Sequence, residues 1–129
     1  MKHVVVIDDE REILACLEEA LSGEGYRVTA CVSGTEAMGL LAHEEPDLVM
    51  LDLRMPDVNG IEVLQSLRHN HPRVPIIICS ALMSYKTDFD VVSSNVAAFL
   101  EKPLDLDNVL GTVRNLIGPS APPPDAHDA

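Results

Sequence analysis

The sequence predicts a doubly wound α/β domain, in which helices cover both faces of a parallel sheet. Short apolar runs alternate five times with segments of helical period, and strands linked by helices run parallel through right-handed crossovers. The chain has 129 residues, enough for one domain with a sizeable core. It is 47% hydrophobic with no Trp, so aliphatic side chains must build that core, which suits a buried parallel sheet.

The first part of the chain contains two strands and two helices. HVVVID at 3–8 is apolar up to its last residue, which predicts a strand buried on both faces. Over residues 10–22 apolar residues recur at helical spacing, and GEG at 23–25 ends that helix. YRVTAC at 26–31 predicts the second strand, and Ser33 predicts the cap of a short helix.

The middle of the chain repeats this alternation. Pro46 closes the second helical unit, and DLVMLD at 47–52 predicts the third strand. Apolar positions over 61–67 mark a helix that must end before Pro72. PIIICS at 75–80 predicts the fourth strand.

The last third is less regular. VAAFLE at 96–101 predicts the fifth strand, whereas residues 83–95 have a weak period and many Ser, Thr and Asp residues, which favours a short fourth helix. Asp105 predicts the cap of a final helix with a clear apolar face. The Pro-rich residues 119–129 are expected to form a disordered tail or the start of a linker, which leaves residues 1–118 as the domain.

Charge and cysteine content narrow the functional classes. The net charge of −12 disfavours direct binding to nucleic acid or to anionic membranes. Three cysteines without a CxxC pair, and no apolar run of signal-peptide or membrane-spanning form, predict a reduced, cytoplasmic protein. The five histidines have no spacing typical of a metal site and are expected at the surface: His3, His43, His69, His71 and His127.

Polar residues follow the predicted strands at their carboxyl ends. Asp8 and Asp9 follow the first strand, Asp52 ends the third, Ser80 ends the fourth, and Lys102 follows the fifth. Parallel strands bring these ends to one edge of the sheet, so three carboxylates are expected to converge near one hydroxyl and one ammonium.

Carboxylates held that close repel one another unless a cation compensates. Mg²⁺ suits this cluster because it prefers hard oxygen ligands and retains waters that a phosphate oxygen can replace. The alternative is that the acidic run at 8–10 only favours the dipole of the first helix.

Four motifs occur in order between Lys2 and about Ile117: VVVIDDE, LDLRMPDVNG, IIICSA and FLEKP. In these motifs the chain resembles the receiver domain of two-component response regulators. Ser80 follows Asp52 by 28 residues and Lys102 follows Ser80 by 22, both normal spacings for the family. The resemblance implies a flavodoxin-like (βα)5 sandwich with strand order 2-1-3-4-5. A chemotaxis member of this family is a known example of that strand order.

The resemblance also implies the roles of the acidic residues. Asp52 would accept a phosphoryl group from a phosphohistidine on a sensor histidine kinase or phosphotransfer protein. Asp9, Asp52 and the backbone carbonyl of Arg54 would hold Mg²⁺, and Asp8 would act through a coordinated water. The domain would thus be a signalling phosphoacceptor that catalyses only its own phosphorylation and slow dephosphorylation.

The same resemblance implies that two further residues would contact the phosphoryl group. The Ser80 hydroxyl would donate to it, and Lys102 would supply a fixed positive charge, with a cis Lys102–Pro103 bond. Phe99 matches the aromatic switch position, although a plain core phenylalanine is the alternative. Arg54 and Leu82 flank the expected phosphoryl position, and their bulk suggests slow hydrolysis of the phosphorylated form.

Other readings stay open on sequence alone. A pseudo-receiver would serve only as a protein interaction module. A haloacid-dehalogenase phosphohydrolase would need a second acid where Arg54 stands, and a flavodoxin-like FMN carrier would need a phosphate loop in place of the acidic pair. The segment before Phe99 and the fourth helix depart from the family pattern, which puts the output face in doubt. By the resemblance, the partners would be an output domain or a downstream protein, together with a phosphorylation-dependent homodimer.

Overall fold

The computed structural model describes residues 1–55, 59–81 and 89–120, and its elements follow the predicted alternation. The elements in chain order are β1 (His3–Ile7), α1 (Arg11–Gly23), β2 (Arg27–Cys31), α2 (Gly34–Leu41), β3 (Leu48–Leu51), α3 (Gly60–Asn70), β4 (Ile76–Ser80), α4 (Phe89–Ser93), β5 (Ala98–Glu101) and α5 (Leu106–Ile117). No helix in the described ranges combines the length and apolarity needed to cross a bilayer.

All five strands lie in one parallel sheet, in the order β2-β1-β3-β4-β5. This confirms the predicted fold class and strand order. In the sheet β2 lies on one side of β1, whereas β3, β4 and β5 follow one another on the other side. The direction in which strands are added therefore reverses between β1 and β3, which are neighbours. In open α/β sheets ligands bind outside the carboxyl ends of the strands at such a point.

Alternate residues of the strands feed two apolar cores, one on each face of the sheet. Val5, Val49 and Ile76 pack on the side of α2 and α3, and Val4, Leu48 and Ile77 pack on the side of α1 and α5. These strand residues are fully buried. Their uninterrupted apolar runs reflect a sheet without a solvent-facing side, as predicted.

The predicted helix caps are confirmed. The Ser33 hydroxyl accepts from the Glu36 N–H at 3.1 Å, and an Asp105 carboxylate oxygen accepts from the Asp107 N–H at 2.9 Å. Most element bounds fall within a residue or two of prediction. The predicted helix over 83–95 is described as α4 only at its end, since residues 82–88 lie outside the described ranges.

Two of the histidines expected at the surface are buried, so that expectation is wrong for His3 and His71. The His3 ring lies 2.8 Å from the Thr29 hydroxyl oxygen, and the His71 ring lies 2.7 Å from the Leu41 carbonyl oxygen. Burial of an imidazole is tolerated when its nitrogens have partners. His43 and His69 are exposed, and His127 lies outside the described residues.

Residues 118–120 pack against the amino-terminal edge of the sheet. The Lys2 N–H donates to the Ser120 hydroxyl at 2.9 Å, and that hydroxyl donates to the Gly25 carbonyl at 2.9 Å. The Tyr26 hydroxyl donates to the Gly118 carbonyl at 2.6 Å. Ser120 is buried, whereas residues 121–129 lie outside the described ranges.

Candidate functional site

The predicted polar residues converge at the carboxyl edge of the sheet, around β1, β3 and β5. Backbone hydrogen bonds continue the sheet past the strand ends: the Asp8 N–H donates to Cys31 O at 3.1 Å and the Asp52 N–H to Ile7 O at 2.9 Å. The Lys102 N–H donates to the carbonyl of the last β4 residue at 3.0 Å. Asp8, Asp52 and Lys102 are therefore each placed by a main-chain bond to a neighbouring strand.

The ammonium group of Lys102 lies among three carboxylates. Its Nζ is 2.8 Å from Asp8 Oδ2, 3.1 Å from Asp52 Oδ2 and 3.2 Å from Glu10 Oε1. The side chains of Asp8 and Asp52 are only 3% and 5% exposed, whereas that of Glu10 is 58% exposed. The two buried carboxylates therefore share one cation, whereas the third carboxylate, that of Glu10, is exposed to solvent.

Burial and charge act in opposite directions on this cluster. Burial alone would lower the pKa of Lys102, but the hydrogen bonds to Asp8 and Asp52 outweigh it, and the pKa is raised well above its ordinary value. Burial raises the pKa of Asp8, and the hydrogen bond from Lys102 only partly offsets this effect. Lys102 thus stays charged at all ordinary pH values, while ionising Asp8 costs free energy.

Main-chain donors fix the orientation of both buried carboxylates. Asp8 Oδ1 accepts from the Glu10 N–H at 2.9 Å, and Asp52 Oδ1 accepts from the Arg54 N–H at 2.9 Å. In each case the donor lies two residues further along the chain. The other oxygen of each carboxylate, Oδ2, then faces the ammonium of Lys102.

The donor set fits a magnesium ion. One carboxylate oxygen from each of four acids lies within 4.8 Å of the others, the acids being Asp8, Asp9, Glu10 and Asp52. Four carboxylates against one ammonium leave an excess of negative charge, and hard oxygen donors are the ligands that Mg²⁺ prefers. Sequence reasoning placed three of these acids at the site but gave Glu10 no part in it. Its position directly after the acidic pair was the available signal.

An open cavity of about 580 Å³ covers the acidic cluster. Its lining includes Asp9, Asp52 and Lys102, together with Arg54 and Ala81. Arg54 itself is exposed. Leu82, the other residue expected to flank the phosphoryl position, lies outside the described residues, as do residues 56–58 of the loop.

The loop after β3 requires a glycine where α3 begins. A Cβ at Gly60 would lie 2.2 Å from the Leu53 carbonyl oxygen, so only a residue without a side chain allows this approach. Asn59 caps the same helix, accepting from the Ile61 N–H at 2.9 Å. The asparagine and glycine of the VNG motif therefore bring α3 against the residue that directly follows Asp52.

Ser80 and Phe99 occupy the neighbouring strands. Ser80 ends β4 and is buried, and it is paired in register with Glu101 of β5. Phe99 is half-buried and packs against the core on the side of α2 and α3. The expected cis peptide bond between Lys102 and Pro103 is present. The switching roles of Ser80 and Phe99 remain predictions.

Comparisons with known proteins agree with this geometry. The response regulator receiver domain family matches residues 4–114. The response regulator MprA of Mycobacterium sp. (strain KMS) is 33% identical over 120 residues, which are 93% of this chain and 52% of MprA. The DNA-binding transcriptional regulator NtrC of Salmonella typhimurium is 32% identical over 114 residues, which are 88% of this chain and 24% of NtrC.

A solved structure supports the same assignment. The response regulator TrrA of Thermotoga maritima, crystallised in complex with Mg²⁺ and BeF, has a TM-score of 0.81 and 32% identity, covering 90% of this chain and 99% of that one. This chain spans about half the length of MprA and a quarter of the length of NtrC. On its acidic strand-end site, its strand order and these matches, the chain belongs to the family of response regulator receiver domains.

Proposed function

We propose that Asp52 is the phosphoacceptor, taking a phosphoryl group from a phosphohistidine on a sensor histidine kinase or phosphotransfer protein. The observation that carries this proposal is the setting of its carboxylate at the cavity: Oδ1 accepts from the Arg54 N–H at 2.9 Å, and Oδ2 lies 3.1 Å from the Lys102 ammonium. Both oxygens are therefore oriented before a phosphoryl group arrives. Receiver domains are signalling domains, and this one would catalyse its own phosphorylation and slow dephosphorylation only.

The transfer exchanges one bond to phosphorus for another. A carboxylate oxygen of Asp52 forms the new P–O bond while the P–N bond to the donor imidazole breaks, and the imidazole nitrogen keeps the electron pair and takes a proton. Asp9, Asp52 and the Arg54 carbonyl would hold Mg²⁺, with Asp8 acting through a coordinated water. When bound, Mg²⁺ would neutralise charge on the phosphoryl oxygens.

Lys102 would change partners during this step. In this structure it bonds to Asp8 and Asp52, and the phosphoryl oxygens would replace one of those contacts. Ser80, buried at the end of the adjacent strand, would donate its hydroxyl to the same group.

The magnitudes permit a conformational switch. Moving a population from mostly inactive to mostly active takes roughly 5.5 kcal/mol of differential binding. Hydrogen bonds to charged groups contribute about 1.5 to 3 kcal/mol each. The Ser80 and Lys102 contacts together therefore have about the required size, and Phe99 would move inward as the Ser80 hydroxyl turns. Loss of either contact should leave partial activation.

The remaining biological context is part of the same proposal. A two-component pathway would place the protein in the cytoplasm, with no membrane and no direct nucleic-acid contact by this domain, consistent with its net charge of −12. The output face would consist of α4, β5 and α5, acting on an output domain, on a downstream protein or through a phosphorylation-dependent homodimer. Residues 1–118 would form the receiver domain, and residues 119–129 its tail or linker.

The test is phosphorylation by a small-molecule donor. Acetyl phosphate with Mg²⁺ should add one phosphoryl group to the intact chain, detected by mass spectrometry and mapped to Asp52. The modification should vanish with EDTA and in Asp52→Asn, but persist in Asp107→Asn, which removes an exposed acid of α5. A folded wild-type protein that stays unmodified, and does not bind beryllium fluoride, would instead be a pseudo-receiver.

A further inference from the structure

The guanidinium group of Arg68, in the last turn of α3, donates five hydrogen bonds, all to main-chain carbonyls. Three of them reach the connection between α3 and β4, at 3.1 Å, 3.1 Å and 2.9 Å, where the acceptors are His71, Pro72 and Val74. Two reach the end of α4, at 2.7 Å and 3.3 Å, where the acceptors are Ser94 and Asn95. One side chain thus links the α3–β4 connection to Ser94 and Asn95, which lie 26 and 27 residues further along the chain than Arg68.

The chemistry of this contact is particular to arginine. The last carbonyls of a helix have no partner within the helix and carry partial negative charge, so a cation there is favoured. Arg68 supplies one cation to the ends of two helices, α3 and α4. Its planar fork presents donors in several fixed directions, whereas the three donors of a lysine ammonium share one point.

The backbone at the end of α4 is unusual at the residue that Arg68 holds. Asn95 has a φ of 57°, in the left-handed region that non-glycine residues seldom adopt. The chain then enters β5 at once, and the Ala97 N–H donates to Ile76 O at 2.9 Å. Arg68 therefore fixes the backbone at the point where α4 becomes β5.

This contact lies at the opposite edge of the sheet from the acidic site. Strands β4 and β5 begin beside the carbonyls that Arg68 holds and end at Ser80 and beside Lys102. Four or five residues of strand separate the two edges by roughly 15 Å. Any movement of α4 or β5 caused at the site is therefore restrained at its far end by Arg68.

We propose that Arg68 is a positioning residue of the switch, a pin that fixes the carboxyl end of α4 and the start of β5 to the α3–β4 connection. Movement caused at the acidic site then becomes a pivot about that end, in which α4 shifts more at its first residues than at its last. The pivot rests on the proposed phosphoryl switch, whereas the pin exists without phosphorylation.

The test is site-resolved hydrogen exchange on the full chain, with Arg68→Lys as the main variant because it keeps the charge and removes the fork. Without phosphoryl mimic, the amides of Ser94, Asn95 and Ala97 should exchange at least about tenfold faster than in wild type, while those of α1 and β1 keep their rates. Arg73→Lys, at an exposed position in the same connection, is the matched control and should change none of them.

Beryllium fluoride with Mg²⁺ tests the pivot. In wild type the mimic should alter exchange at Val91 and Val92 but leave Ser94 and Asn95 unchanged, and in Arg68→Lys the change should spread to that end. Uniformly faster exchange throughout the variant would overturn the proposal, since it would mark a contribution to global stability alone. Failure of wild type to bind the mimic would refute both the proposed function and the pivot. The comparison of Arg68→Lys with wild type in the absence of mimic would still show whether Arg68 fixes the end of α4.

A measurement on wild type covers the case in which the variant does not fold. In native-state exchange at rising urea, the amides of Ser94 and Asn95 should open together with that of Val74, with one shared dependence on denaturant. Separate openings of these two segments would show that Arg68 does not couple them.

Discussion

Replacing Lys102 with Met should destabilise the metal-free protein at neutral pH. The ammonium lies 2.8 Å from Asp8 and 3.1 Å from Asp52, and the Lys102 side chain is only 10% exposed. Removing one partner from a buried ion pair typically costs about 3–5 kcal/mol. Each carboxylate here keeps a main-chain donor on its other oxygen, so we expect the lower end, about 3 kcal/mol.

The pH dependence of this loss has a defined sign. Burial already raises the pKa of Asp8 in the wild type, and losing Lys102 raises it further. A group with a raised pKa in the folded state stabilises fully below its unfolded pKa, about 3.9 for Asp, and loses that contribution as the pH rises through the folded value. The deficit of the variant should therefore be largest near pH 7 and shrink toward pH 4.

Urea unfolding in EDTA at several pH values measures both effects, and Arg73→Met, which removes an exposed cation, is the control. Mg²⁺ should restore more stability to Lys102→Met than it adds to wild type, because the ion replaces the missing charge. The reasoning is refuted if the metal-free variant matches wild type at pH 7, or if its deficit grows as the pH falls.

Three other outcomes follow from burial and backbone contact. Asp8→Asn should raise the metal-free stability at pH 7, measured by urea unfolding, because burial raises the pKa of that carboxyl, and the gain should vanish below about pH 4. Gly60→Ala should cost at least about 2 kcal/mol by thermal unfolding, since its methyl would meet backbone at 2.2 Å, whereas Gly39→Ala, with no atom within 4 Å, should not destabilise. A thiol reagent should label only the exposed Cys16 in the native protein, because the other two cysteines are buried. Burial raises the pKa of the Cys31 thiol to about 11 and that of the Cys79 thiol to about 12. Equal labelling of all three cysteines would contradict this burial.

The central site residues could be predicted because they depend on topology rather than on detailed packing. Asp8, Asp52, Ser80 and Lys102 each follow or end an apolar run, and parallel strands must bring such positions to one edge. The same rule gave the fold class, because the alternation of strand and helix leaves few ways to cover both faces of a sheet.

The features that sequence reasoning missed depend on partners distant along the chain. Burial of His3 is tolerated because its ring bonds to the Thr29 hydroxyl on the neighbouring strand, and burial of His71 because its ring bonds to the Leu41 carbonyl at the end of α2. Glu10 reaches Lys102 only because β1 and β5 end at the same edge. The two histidine contacts leave no periodic or compositional signal in the sequence, whereas Glu10 had one signal, its position directly after the acidic pair.

The bonds that hold Ser120 to Lys2 and Gly25 have a practical consequence for handling the protein. They anchor the chain below the first two strands, about 16 Å of strand length from the carboxylates. A reporter, an affinity tag or a surface tether joined directly after residue 120 therefore begins at the amino-terminal edge of the sheet, opposite the acidic site. Protein immobilised at that position should accordingly keep the phosphorylation rate that the proposed function gives to the free form.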